Sequence, residues 1–123
     1  MCIRDSYLPI LNPKDCPTFD LIKSGIKSVE GRKNSEKYQK YKKGDDIIFQ
    51  YGRKTVKARI TYIHRYRTIE DYLRRETLKR ALPCVKKISD GVLIYNKWTT
   101  PSERALLYSK YGYSFLGIGI ELI

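Results

Sequence analysis

An α+β fold, a small curled sheet of five or so strands with helical excursions between them, is what this sequence predicts. Three observations carry that prediction. Apolar or alternating runs at residues 7–11, 46–51, 55–66 and 115–122 read as strands. Segments with helical spacing and clear start signals lie between them. They cluster rather than following each strand in turn, which argues against a doubly wound parallel sheet. At 123 residues the chain fits one compact domain, taken as residues 7–123. The opening MCIRDS lacks periodicity and a signal-peptide core, and reads as a leader or scar outside the fold.

The elements follow in order. YLPIL (7–11) is a short strand broken by the prolines of NPKDCP. Thr18 is placed to cap a helix with Phe19 and Ile22 on one face, and Gly25 to end it in a left-handed conformation. Val29 suits a strand, whereas KNSEKYQKYKKGDD is polar enough to lie at the surface as a frayed helix or long loop. Gly44-Asp45 marks a turn. DIIFQY and TVKARITYIHRY form two strands joined by GRK, the second with Val56, Ala58, Ile60 and Tyr62 on one face and Lys57, Arg59, Thr61 and Ile63 on the other. Thr68 with Asp71 opens a helix, or two short ones, through residue 82. Ser89 and Asp90 start another, and Thr100, Pro101 and Glu103 a third that YSKYG ends. FLGIGIEL closes the chain as a strand whose glycines allow tight curvature or close backbone approach.

Composition narrows the function class. Twenty-five Lys+Arg against 13 Asp+Glu give a net charge of +12, which favours a polyanionic partner such as nucleic acid. No apolar run approaches the roughly 20 residues that span a bilayer, so a soluble chain with no membrane partner is expected. Cys2, Cys16 and Cys84 are odd in number and lack metal-ligand spacing. They are expected to be reduced packing thiols of a cytoplasmic protein, with no metal and no cofactor.

GIKSVEGR (25–32) holds Gly25, Lys27, Glu30 and Arg32 in the GxKxxExR spacing. It resembles the signature of the ASCH domain, a branch of the PUA-like superfamily. The resemblance extends through the preceding helix and, in LKRALPCVKKISDGVLIYNKWTTPSERALLYSKYGYSFLGIGIEL, to the tail of small stand-alone members, from about Tyr7 to Ile123. It implies a PUA-like β-barrel of about five to six strands flanked by helices, with a cleft lined by the signature. In this superfamily such clefts bind RNA or modified nucleobases. Some family members resemble RNA-binding coactivator modules, one bacterial subgroup removes the acetyl group of N4-acetylcytidine, and at least one member is a ribonuclease.

The leading expectation is an RNA-binding domain that recognises single-stranded or modified RNA. Lys27 offers a point charge, Arg32 a planar fork, and Glu30 either an acceptor for a base amino group or an ion-pair partner that locks the barrel. Lys33, Tyr51, Arg65, Tyr66 and Arg67 complete the expected nucleic-acid contacts. More broadly, Tyr38, Tyr41, Tyr51, Tyr62 and Tyr66 interleave with lysines and arginines, as single strands need for stacking and neutralisation. Tyr72, Tyr95, Trp98, Tyr108 and Tyr111 read instead as core or interhelical contacts. Arg74, Arg75, Lys79, Arg80, Lys86 and Lys87 read as a solvated helix face, with a phosphate track as the alternative. The runner-up function is a hydrolase of RNA or nucleosides, with Lys27 and Glu30 catalytic. The deacetylase subgroup would need a threonine where Glu30 stands, and Glu76 as the later glutamate. A ribonuclease would use His64 with Lys27 or Tyr66. A third reading is a protein-interaction module.

Overall fold

The computed structural model describes residues 7–123, so the proposed leader lies outside the described residues. Five strands form one mixed sheet: β1 (Tyr7–Pro9), β2 (Val29–Lys33), β3 (Asp46–Tyr51), β4 (Lys54–Tyr66) and β5 (Phe115–Leu122), in the spatial order β1-β3-β4-β5-β2. Among the described residues only β1 and β3 pair in parallel. Five α-helices accompany it: α1 (Thr18–Lys23), α2 (Ile69–Glu76), α3 (Leu78–Ala81), α4 (Ile88–Tyr95) and α5 (Pro101–Tyr111). The polar stretch after β2 holds only a 3-10 turn at Glu36–Tyr38.

Local chemistry accounts for the boundaries. Gly25, Gly44, Gly52 and Gly112 all take positive φ at the turns expected of them. The Thr68 and Thr100 side chains accept hydrogen bonds from Asp71 N and Glu103 N, capping α2 and α5.

Register decides which side chains meet. Up to Ile60, even-numbered residues of β4 face the core under α1, where Ala58 and Ile60 join Leu8, Phe19, Ile22, Ile47, Phe49, Leu116 and Ile118. A bulge between Ile60 and Tyr62 then shifts the pairing from Ile60↔Ile120 to Tyr62↔Gly119. One extra residue exchanges the faces. Ile63 therefore packs with the first core, and Tyr62 and Tyr66 turn to the second, formed with Ile69, Tyr72, Leu73, Leu82, Tyr95 and Phe115. This corrects the unbroken alternation expected from the sequence, which put Ile63 on the polar face.

Glycines make room on that second face. Gly31 pairs with Gly117, and a Cβ on Gly31 would stand 2.5 Å from Tyr72 Oη and 2.7 Å from Tyr72 Cζ. A Cβ on Gly119 would stand 2.2 Å from Tyr62 Cε2 and 2.5 Å from Cδ2 and Cζ. The close approach anticipated for FLGIGIEL is thus made by tyrosine rings lying on a floor of glycine backbone.

Three further expectations change. Cys16 and Cys84 form a disulfide with Cα atoms 5.5 Å apart, so they are not the free thiols expected. The pairing spans 68 residues and carries no spacing signature. Tyr38 and Tyr41 are buried in the first core rather than offered for stacking. Trp98 and Tyr108 are exposed rather than interhelical, because α4 ends at Tyr95 and α5 buries no residue. Among the described residues no helix is long and apolar enough to cross a membrane.

Candidate functional site

The sheet does not close on itself. β1 and β2 are its two edges, and a pocket of about 310 Å³ opens where they face one another. Pro9, Ile10 and Leu11 line it from the β1 side, and Lys27 with Glu30 to Lys33 from the β2 side. Leu82 and Phe115 supply apolar wall, and Ile94, Tyr95, Trp98 and Thr99 cover it from the α4–α5 region. The volume lies at the small end of ligand sites, which run from roughly 300 to 1,000 Å³.

Alternation along β2 puts Glu30 and Arg32 on one side of the strand, and the turn after α1 delivers Lys27 beside them. Arg32 Nη2 donates to Glu30 Oε2 at 3.0 Å and Gly31 N to Glu30 Oε1 at 3.1 Å. Lys27 Nζ stands 3.6 Å from Glu30 Oε1, donates to Val29 O at 2.6 Å and also donates to Ala81 O. One acid thus joins two bases. Arg32 also reaches across the seam, with long contacts of 3.5 Å to Pro9 O and 3.4 Å to Tyr38 Oη.

Electrostatics follow from burial. Lys27 and Glu30 are only 3% and 6% exposed. Burial alone would raise the Glu30 carboxyl, but Arg32 and Lys27 outweigh it and hold the group below its ordinary range. Burial is also the largest influence on Lys27 and moves it down, while Glu30 opposes the shift. The three acceptors around Nζ match the three donors of an ammonium. Two bases against one acid leave a surplus positive charge at the pocket floor. Arg32 Nε is buried there without a partner in hydrogen-bonding geometry, whereas the Thr99 hydroxyl helps to hold the Glu103 carboxyl below its ordinary range.

The ASCH domain profile matches residues 16–119. The chain belongs to the ASCH domain family. It is similar to the crystal structure of the hypothetical protein PH0355, with 31% identity, 95% of this chain and 97% of that chain covered, and a TM-score of 0.77. It is also similar to the solution NMR structure of protein PF0455 from Pyrococcus furiosus, at 30% identity with the same coverage and a TM-score of 0.69. No curated protein matches it. The ASCH fold here is a PUA-like α+β half-barrel.

Of the expected contacts, the structure brings four ASCH-domain residues together at the pocket: Lys27, Glu30, Arg32 and Lys33. Lys33 is tied to Glu103 of α5 at 2.9 Å. The other four stand elsewhere. Tyr51 ends β3 and packs against Phe19. Arg65 and Arg67 are exposed near the end of β4, and Tyr66 is buried against Glu76. Glu76 and His64 pair with each other at 3.0 Å and line no part of the pocket. Sequence reasoning missed Trp98 and Thr99, which sit in the α4–α5 connection. The signal available was a tryptophan just past a helix end beside a threonine pair, too generic to single out. No group of His, Cys, Asp and Glu among the described residues could hold a metal ion.

Proposed function

We propose that this ASCH domain binds single-stranded RNA, seating one base in the seam pocket. The observation that carries the reading is the pairing of an exposed Trp98, 61% accessible, with a net-positive lining in which Lys27 and Arg32 flank the single acid Glu30. An aromatic face at the mouth suits a planar base, and donors below suit its carbonyl or ring-nitrogen acceptors. The overall charge of +12 supplies the attraction for the phosphate chain. Glu30 contributes by holding Arg32 in register, and its remaining lone pairs can accept from a base amino group.

The test is an anisotropy titration of labelled single-stranded RNA, with the RNA recovered afterwards and checked for cleavage and for loss of acetyl from N4-acetylcytidine. Saturable binding with intact RNA is expected. Trp98→Ala should weaken it by about 1–3 kcal/mol, the usual worth of one stacked base. Equal affinity for the variant would overturn the placement of the base.

A hydrolase is the second reading, favoured by the burial that lowers the Lys27 amine. It requires that amine to leave the Val29 and Ala81 carbonyls before its lone pair can act. Cut or deacetylated RNA in the same titration would establish it. A chain that bound no RNA at moderate salt would turn attention to an acidic protein partner.

A further inference from the structure

Beyond the pocket, a second set of side chains is fixed in place and open to solvent. Glu76 ends α2 and is buried, and three residues of β4 that share a face after the bulge bond to it. Tyr62 Oη donates to Oε1 at 2.6 Å, Tyr66 Oη donates to Oε2, and His64 Nδ1 stands 3.0 Å from Oε2. Burial opposes a charged Glu76, but these hydrogen bonds prevail and hold it below the usual carboxylate range. A carboxylate only accepts, so the His64 proton sits on Nδ1 and the ring plane is set.

Unlike Glu76 and Tyr66, His64 is not buried. Its side chain is 56% exposed, and its ring stacks on Tyr62 with centroids 4.3 Å apart and planes 28° from parallel. Tyr62 rests on Gly119, which prevents the pair from sinking further into the sheet. Beside it the half-exposed Arg80 donates from Nε to Glu76 O at 2.8 Å and places Nη2 3.7 Å from the Glu76 carboxylate. Arg75 is exposed nearby, close enough to act electrostatically on Tyr66. A rigid aromatic step flanked by guanidinium groups has the makings of a single-strand contact.

This face adjoins the pocket through three consecutive residues. Leu82 lines the pocket, the Ala81 carbonyl holds Lys27, and Arg80 carries the guanidinium at Glu76. Two residues of chain span at most roughly 7 Å, which puts the Arg80 backbone within that distance of Leu82 in the pocket wall.

We propose that Tyr62, His64 and Arg80 form a second RNA contact, on which a base neighbouring the pocket-bound one stacks against His64 while its phosphate lies against Arg80. The inference rests on the RNA reading above. It gives the basic group around Arg75 and Arg80 the role of a phosphate track rather than a merely solvated face.

The test separates the two contacts. Trp98 is the chain's one tryptophan and lines the pocket, so its fluorescence follows pocket occupancy by mixed ribonucleoside monophosphates. Anisotropy of a labelled mixed-sequence RNA octamer follows the whole footprint. His64→Ala should bind the octamer about tenfold more weakly and leave the monophosphate titration unchanged. Arg80→Ala should lower the slope of log affinity against log salt by about one. Octamer affinity unchanged in His64→Ala, with the wild type binding, would sink this contact and spare the pocket reading. Loss of both titrations in His64→Ala would make the residue a prop of the fold and also overturn the proposal. A wild type that binds neither probe would remove both readings together.

Discussion

Glu30→Gln is expected to destabilise the domain by about 3–5 kcal/mol, the usual cost of removing one partner from a buried ion pair. The substitution keeps size and shape but leaves Lys27 and Arg32 facing one another without the charge between them. Lys27→Met should cost less, because Arg32 still holds Glu30 and the surplus positive charge is gone. Urea unfolding of the three proteins at neutral pH gives the order directly, and a smaller loss for Glu30→Gln than for Lys27→Met would refute the account. The pH dependence has a definite sign. The folded Glu30 carboxyl lies below its unfolded value of roughly 4.3. Its stabilisation is therefore fully present above that pH and is lost as pH falls through the folded value. The wild-type and Glu30→Gln stabilities should converge in acid, where both side chains are neutral.

Gly31→Ala is the second large effect, expected at the upper end of the roughly 1–3 kcal/mol that overpacking costs. The added methyl has no room: Tyr72 Oη at 2.5 Å, Tyr72 Cζ at 2.7 Å and Phe115 Cε2 at 2.9 Å already occupy its surroundings. Tyr72 is fully buried, with its hydroxyl 3.2 Å from that of Tyr95, so the ring cannot swing into solvent. Gly31 does not take positive φ, which makes the penalty one of packing rather than backbone strain. Thermal unfolding reads the loss. Gly25→Ala offers the contrast, since its site is open and its φ of +84° leaves only the conformational cost. A stability loss at Gly31 no greater than at Gly25 would contradict the fit described for Tyr72.

Local signals explain how much of this was legible in the sequence. Caps at Thr68 and Thr100, stops at Gly25 and Gly112, and the Gly52 turn involve residues a few positions apart, and each is present where its chemistry asks for it. The Lys27, Glu30 and Arg32 cluster was legible for the same reason, as five consecutive β2 residues and the turn before them bring it together. What could not be read lay between distant segments. The bulge at Thr61 depends on how β4 meets β5, and nothing within TVKARITYIHRY announces it. Tyr38 and Tyr41 sit among lysines, so composition spoke for solvent, whereas the first core draws them in. Trp98 looked like helix interior because its nearest apolar neighbours belong to α4, and only the seam far along the chain shows that it faces a pocket. Glu76 meets His64 and both tyrosines across a helix-to-strand contact that no spacing rule anticipates.

The gap between β1 and β2 has a consequence for how such a domain diversifies. A closed barrel fixes its lumen through backbone pairing, so any change of shape must alter strand register all the way round. Here the edges are bridged by a guanidinium reaching the Pro9 carbonyl, and the mouth is framed by side chains of the α4–α5 connection. A substitution at the exposed position 98 can therefore reshape the mouth of the cavity while every ladder hydrogen bond stays as it is. The mouth of the cavity and the ladder that frames it can thus vary independently in descendants of this chain.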